Sequence, residues 1–253
     1  MKLTSDNKMM VAAHRGDSYS YYENTMESFL AAIKDGVDMI ETDVHLTRDL
    51  VPVLIHDDTV DRTTNGTGHV RDFSYDELCQ LNAGGIHDFQ KIPTLDEFLQ
   101  LISSKNILLN LEIKEYYKTG NEQRCELCIE KCVALIEKYS YTNKMVFNSF
   151  DAHVLEYLAD KYNGKYMLHG FYPYTIMFNV QRNPDEYLYC ACISDNRNKA
   201  HYEYLCSKGI EPWIGASVTG TKHLQECYEL GARLITTNFP SDCINRLNSI
   251  DAR

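Results

Sequence analysis

Within DMIETDVHLTRDLVPVLIHD, residues 38–57, two carboxylates, Glu41 and Asp43, and two histidines, His45 and His56, fall inside a span that otherwise reads as buried strand. Successive side chains of an extended strand alternate, so Glu41, Asp43 and His45 share one face while Ile40, Thr42 and Val44 share the other. Ionised carboxylates on a buried face are costly unless they are neutralised, bridged by cations or ligated to a metal. A lysine across the core is the ordinary remedy for one such group. For two at i, i+2 beside histidines, a hard divalent cation that takes oxygen ligands, magnesium or calcium, fits better.

Two more stretches carry similar groups. MMVAA, residues 9–13, ends on His14-Arg15-Gly16, and NILLNLE, residues 106–112, ends on Glu112 with Lys114 two residues later on the same face. Lys114 could simply neutralise Glu112. If Glu112 is instead a third metal ligand, Lys114 is free to contact an anion. A metal held by Glu41, Asp43 and Glu112 would polarise a phosphoryl oxygen, with Arg15 and Lys114 as further anion contacts. His14 and His56 could then serve as general base and general acid on opposite sides of a transferring phosphoryl group. That combination describes phosphodiester cleavage; enolisation or amide hydrolysis would use the carboxylates but make less use of the arginine and lysine. Asp57, Asp58, Asp61 and Arg62, close to His56, read as surface or turn groups without a catalytic part.

These groups need elements to hold them. Only HLTRDL separates Val44 from Val51, too short for a parallel crossover, so the stretch 51–56 should return antiparallel as a hairpin arm and bring His56 towards the carboxylate strand. Asn24 is the expected N-cap of a helix over NTMESFLAAIKDG, with Glu27 closing a capping box and Gly36 ending it. Beyond His56 the chain is polar and turn-rich as far as Ile92, with a short helix over 75–81 and another opened by Pro93-Thr94 with Glu97 as its capping-box partner; so long an irregular stretch suggests a lid or insertion. Strands that could be parallel begin at Met9, Asp38, Asn106, Lys144, Tyr166, Tyr187, Ile210 and Arg233, with helices between them. Eight strand and helix alternations over about 250 residues match a (β/α)8 TIM barrel of α/β class, with His14, Glu41, Asp43 and Glu112 meeting at one mouth. A doubly wound open sheet would spread them along a crevice, and no glycine-rich dinucleotide loop supports it.

The chain has 253 residues, 44% of them hydrophobic and 24% charged, enough for one large domain. Its formal charge of −11 argues against a nucleic-acid partner, so an anionic substrate must be drawn by a local metal or a few cations rather than by the net field. Nine cysteines form no regular framework. Cys125, Cys128 and Cys132, at i, i+3, i+7, read as buried thiols on one helix face rather than as a cluster site. No secretory leader and no apolar run of membrane-spanning length is visible, so a cytoplasmic protein with no stable membrane insertion is expected.

In order and spacing, His14-Arg15-Gly16, Glu23-Asn24-Thr25, Glu41-x-Asp43-Val44, Thr47-x-Asp49, Pro52-Val53-x-x-His56-Asp57, Arg62-Thr63-Thr64-x-Gly66, Pro93-Thr94-Leu95 and Glu112-x-Lys114 resemble the glycerophosphodiester phosphodiesterases. The resemblance spans nearly the whole chain and is dense from residue 14 to 114. It implies one catalytic TIM barrel over 1–253 with a small subdomain inserted at 57–92. It also implies hydrolysis of small-molecule glycerophosphodiesters, such as glycerophosphocholine and glycerophosphoethanolamine, to sn-glycerol 3-phosphate and an alcohol. By the same resemblance Glu41, Asp43 and Glu112 hold one divalent metal ion (Mg2+ or Ca2+), His14 and His56 are the acid-base pair, and Arg15 and Lys114 contact the phosphate. A substrate hydroxyl attacks first to give a cyclic phosphate, which water then opens. Trp213 falls where the family has a tryptophan, and is expected either to wall the glycerol or headgroup or to sit in the barrel rim. The second half departs more: Ile214-Gly215-Ala216 replaces Thr-Val-Asn, Asn238 stands where an aspartate is common, Tyr22 replaces a proline and Leu50 a turn glycine. Two rival functions are a lysophospholipid or sphingolipid phosphodiesterase, for which the loop FYPYTIMF at 171–178 would face a membrane, and a non-catalytic glycerophosphodiester-binding barrel.

Overall fold

In the computed structural model, which describes residues 3–4, 8–86 and 88–253, each stretch read as a parallel strand forms one, beginning one to three residues later than expected. The strands are β1 (Met10–His14), β2 (Met39–Leu46), β4 (Leu108–Ile113), β5 (Met145–Asn148), β6 (Met167–Tyr172), β7 (Cys190–Ile193), β8 (Glu211–Ile214) and β9 (Leu234–Thr237). The short β3 (Pro52–Leu54) pairs antiparallel with the end of β2, with Val44 opposite Leu54 and Leu46 opposite Pro52. Parallel pairing runs β1-β9-β8-β7-β6-β5-β4-β2, and a further β1–β2 pairing closes the ring into an eight-stranded barrel.

The alternation of side chains divides this barrel into two chemistries. Val11, Ala13, Ile40, Val44, Leu109, Leu111 and Phe147 point outwards into the main core, together with Phe29 of α1 (Met26–Asp35), Phe98 and Leu99 of α3 (Leu95–Ser103) and Ile129 of α4 (Glu122–Lys138). The opposite faces turn inwards. Low in the barrel they are apolar, with Ala12, Met39, Val146, Cys190, Trp213 and Leu234 in one cluster. Two residues further along the same strands they become polar: His14 pairs in register with Glu41, Glu41 with Asn110, Asp43 with Glu112, and Glu112 with Asn148. The change occurs towards the carboxyl ends of the strands, where barrel sites are built.

The remaining helices are α2 (Tyr75–Leu78), α5 (Ala152–Lys161), α6 (Lys199–Ser207), α7 (Thr221–Leu230) and α8 (Pro240–Ser249). Cys125, Cys128 and Cys132 are buried on α4, packed into the main core. Between β3 and α3 the chain builds a second small core from Val53, Ile55, Val60, Val70, Leu78, Ala83 and Ile92. The expected capping box at Thr94 with Glu97 is present, and a second, which was not expected from the sequence, joins Ser74 and Glu77. Leu50, in place of a turn glycine, adopts φ 64, a left-handed conformation that disfavours a residue with a Cβ. Among the described residues no helix is long and apolar enough to cross a membrane.

The α1 cap differs from expectation. Thr25, not Asn24, is the N-cap, and Ser28, not Glu27, returns the reciprocal bond. Asn24 is committed elsewhere: at φ 55 its side-chain amide donates to Asp43 Oδ2 at 3.0 Å and its carbonyl accepts from Thr42 Oγ1 at 2.7 Å. The first helix is thus hung from the carboxylate strand by the residue before its cap. Gly16 has to be glycine for this join, because a Cβ there would lie 2.4 Å from Ser28 Oγ and its φ is +82.

The far end of β2 is held by Glu115. Its Oε1 accepts from Leu46 N at 3.0 Å, Arg124 Nε lies 3.2 Å from Oε2, and His45 Nδ1 lies 3.6 Å from Oε1. Burial opposes ionisation, but these donors win and lower the carboxyl to about 2. Its stabilising contribution is therefore complete above the ordinary glutamate value of 4.5 and is lost as pH falls from there towards 2. Glu115→Gln is expected to lower unfolding free energy at pH 7 by about 2–3 kcal/mol, with a smaller deficit near pH 3. Denaturant melts at the two pH values test it, and an equal deficit at both would rule out the charge as the cause.

Candidate active site

Glu41 and Asp43 face inwards from β2 and Glu112 from the neighbouring β4, and all three are buried. One ligand oxygen from each lies within 4.8 Å of the others, and among the described residues no other three His, Cys, Asp or Glu side chains are grouped in this way. Two cations reach into the group. Lys114 Nζ lies 2.7 Å from Glu112 Oε1 and 3.5 Å from Asp43 Oδ1, and Arg15 Nε lies 3.2 Å from Asp43 Oδ2.

Three carboxylates against two cations, one of them shared, cannot all be comfortably ionised in a buried space. Burial, then Asp43 and Glu112, drive Glu41 well above the ordinary glutamate range, and burial with Asp43 drives Glu112 up to about 7 despite Lys114. Asp43 goes the other way: burial is overcome by Lys114, Arg15, His56 and the Asn24 amide, which hold it below its usual value. The cluster shares protons, with Asp43 the most acidic member. Asp43 Oδ1, Glu112 Oε1 and Arg15 Nε are buried without an aligned hydrogen-bond partner. Two carboxylate oxygens met only by ion pairs without hydrogen-bond alignment, beside a third buried carboxylate, fit the coordination of a hard divalent cation.

The two histidines lie near different members of this group. His14, at the end of β1, has Nε2 3.8 Å from Glu41 Oε2 and Nδ1 2.6 Å from Asn238 Oδ1. An amide oxygen only accepts, so Nδ1 carries the hydrogen and Nε2 presents its lone pair to the mouth. Burial, then Arg15, lower its pKa, against the Asn238 bond and nearby acids. His56, just after β3, has Nδ1 2.6 Å from Asp57 Oδ1. Burial lowers its pKa too, and outweighs the opposing pull of Asp43 and Asp57.

Arg62 is exposed and Asp57 half-buried, as surface groups would be, but both are tied into the site by hydrogen bonds that the sequence did not suggest. Arg62 Nε donates to Asp57 Oδ2 at 2.7 Å, its Nη1 and Nη2 donate to the two oxygens of Glu23 at 2.8 Å each, and Glu23 Oε1 also accepts from Arg15 Nη1 at 3.0 Å. An unbroken chain His56-Asp57-Arg62-Glu23-Arg15 therefore ties one histidine to the arginine on the opposite side of the mouth. The bidentate fork of Arg62 holds both carboxylates in fixed planes. The signal available in the sequence was the clustering of Glu23, Asp57 and Arg62 around the histidine and arginine motifs, but only the fold shows that residues 23 and 62 meet.

Of the two expectations for Trp213, its position favours the core. It is fully buried low in the barrel, with Nε1 donating to Glu211 Oε2 at 3.2 Å and its ring 4.8 Å from that of His169. With no exposed surface and a place in the inner apolar cluster, it is packed as core. The aromatic surface beside Lys114 belongs to Phe150 and Phe171, stacked at 3.5 Å and 9°, with Lys114 Nζ 5.9 Å from the Phe150 ring. Phe171 thus ties the aromatic loop to the barrel mouth, while Ile176 and Phe178 are partly exposed.

A model described as the glycerophosphoryl diester phosphodiesterase family matches residues 14–203. A glycerophosphodiester phosphodiesterase of Caldanaerobacter subterraneus subsp. tengcongensis is 42% identical over 154 residues, 58% of this chain and 60% of the relative. The chain thus matches about three fifths of that relative's length. A glycerophosphodiester phosphodiesterase of Bacillus altitudinis is 32% identical over 223 residues, 83% of this chain and 78% of the relative. Among solved structures, an Oleispira antarctica phosphodiesterase in complex with the product sn-glycerol-3-phosphate has a TM-score of 0.78 at 22% identity, covering 95% of this chain and 97% of that one. At that identity the likeness shows the shared barrel fold.

Proposed function

Because this chain belongs to the glycerophosphoryl diester phosphodiesterase family, we propose that it hydrolyses glycerophosphodiesters to sn-glycerol 3-phosphate and an alcohol in a metal-dependent reaction. The observation that carries the reading is the buried triad Glu41, Asp43 and Glu112, whose ligand oxygens lie within 4.8 Å of one another, with His14 beside Glu41 and His56 near enough to Asp43 to help hold it ionised. The product held by the Oleispira phosphodiesterase is of the class expected here.

Glu41, Asp43 and Glu112 would hold a divalent cation, which when bound supplies charge stabilisation to the phosphoryl oxygens. Arg15 and Lys114 bind and orient the remaining phosphate oxygen, and Asn24 keeps the Asp43 carboxylate turned towards the site. His14, with its Nε2 lone pair free, takes the proton of the attacking hydroxyl. His56, with Nδ1 held by Asp57, gives a proton from Nε2 to the departing alkoxide. The negative charge of bound substrate adds to that of Asp57 in favouring the charged imidazole. A hydroxyl on the glycerol is the first nucleophile, forming a cyclic phosphate as the P–O bond to the headgroup breaks. Water then opens the ring, with the proton roles reversed.

The test is release of glycerol 3-phosphate from glycerophosphocholine and glycerophosphoethanolamine, with and without chelator. Turnover that chelation stops and calcium or magnesium restores is expected; the absence of release with any diester would end the reading. The chain through Arg62 adds a second expectation. Asp57→Asn should lower kcat by up to roughly 10²-fold while leaving metal affinity unchanged, since it disturbs only the orientation and charging of one imidazole. Steady-state kinetics beside a metal titration checks this, and a matched loss of metal affinity would contradict it.

A further inference from the structure

A groove of about 370 Å³ opens beside the mouth. One wall is the inserted segment, through the 3-10 turn Val70–Asp72 that carries Arg71; the other is the loop after β4 that carries Lys114, Tyr116 and Lys118. His45 and His56 also line it, so the groove begins at His56 and Lys114, two of the side chains assigned to the reaction, and leads away from them.

Its charges are unevenly used. Lys114 is taken up by Glu112 and Asp43, and Glu115 by Arg124 and the β2 end. Asp58, strongly exposed, faces His69 at 3.6 Å. Arg71 and Lys118 have no side-chain ion-pair or hydrogen-bond partner among the described residues. In a chain of net charge −11, two free cations lining one groove from separate segments form a local field opposed to that of the molecule. A neutral or cationic headgroup gains nothing from them.

We propose that this groove receives the headgroup of the diester and that Arg71 and Lys118 select one bearing an anionic group, a second phosphate or a carboxylate, over choline or ethanolamine. The inference rests on the functional reading above and names the substrate class of that same site. The cleaved ester sits between His14 and His56, the leaving alcohol extends past His56, and its anion lies between the guanidinium and the ammonium. Charge-assisted bonds made there lower KM without any part in proton transfer.

Matched pairs of substrates test this. Glycerophosphoinositol 4-phosphate and glycerophosphoinositol differ by one phosphate; glycerophosphoserine and glycerophosphoethanolamine differ by one carboxylate. The wild type is expected to have a kcat/KM roughly tenfold higher for the anionic member of at least one pair, and the pair concerned identifies the anion. An Arg71→Ala, Lys118→Ala double variant should raise KM for that member by about the same factor, with kcat held and glycerophosphocholine turnover within twofold of wild type. No anion preference in either pair, or a loss in the variant equal for all substrates, overturns the assignment while leaving the phosphodiesterase reading intact. Absence of turnover with every diester, glycerophosphocholine included, overturns both.

Discussion

Glu41→Gln is expected to leave the fold intact, to hold or raise the melting temperature of the metal-free protein, and to remove most of the rise that calcium or magnesium produces in the wild type. Glu41 is driven well towards its neutral form, by burial first and then by Asp43 and Glu112. A glutamine imitates that neutral form, and its amide oxygen can still accept from Arg15 N, now 3.1 Å from Glu41 Oε2. The substitution relieves repulsion in the metal-free state and deletes a charged ligand from the metal-bound one. Even partners one step removed from a metal cost 10- to 100-fold in affinity when lost, so a direct ligand should cost at least ~10²-fold. A cation at a hundred times its Kd stabilises by about 2.7 kcal/mol, roughly 5–10 °C in a chain of this size, and this is the increment that should vanish. Melting curves with and without metal, beside a calorimetric titration, decide the matter. A variant that melts well below wild type without metal would make Glu41 a structural group; an undiminished metal response would remove it from the site. Turnover should fall with metal affinity, as expected of a residue whose local cost is balanced by function.

Much of this site could be read along single strands. Period-two alternation put Glu41 and Asp43 on one face, and the short turn after Leu46 required β3 to return beside β2, which brings His56 to the mouth. The repeated pattern of a charge at the end of an apolar run found Glu112, and the pairing of β4 with β2 then set it opposite Asp43. What was not legible depends on contacts between segments. Asn24 carries the signature of a helix cap, and its use as a hanger for Asp43 is decided by a left-handed backbone and by Thr42, the neighbour of Asp43 on β2. Asp57 and Arg62 look like turn residues until Glu23, 39 positions before Arg62, supplies the other half of the fork. Trp213 has the type of a ligand wall, but its inward position in the bottom layer gives it to the core. In each case local preference and tertiary use differ, and the site is where they differ most.

The two histidines should be separable by leaving group. His14→Ala and His56→Ala are each expected to lower turnover of glycerophosphocholine by roughly 10²- to 10⁴-fold, the range for one positioned acid or base. On the nitrophenyl ester of glycerol 3-phosphate the two should part. A nitrophenolate departs without a proton, so a residue needed only to protonate the alkoxide becomes dispensable for ring closure, whereas one needed to take the proton from the attacking hydroxyl does not. His56→Ala should therefore recover most of its loss when nitrophenolate release is followed, and His14→Ala should recover little. The assignment follows from the second contact of each ring. Asn238 Oδ1 fixes a neutral His14 with Nε2 ready to accept, and the Asp57 carboxylate favours a His56 that carries a proton to give. Recovery in His14→Ala and not in His56→Ala would exchange the roles. Equal losses on both esters would place each imidazole in binding or orientation rather than proton transfer, a result that unchanged metal affinity in both variants would separate from damage to the carboxylate cluster.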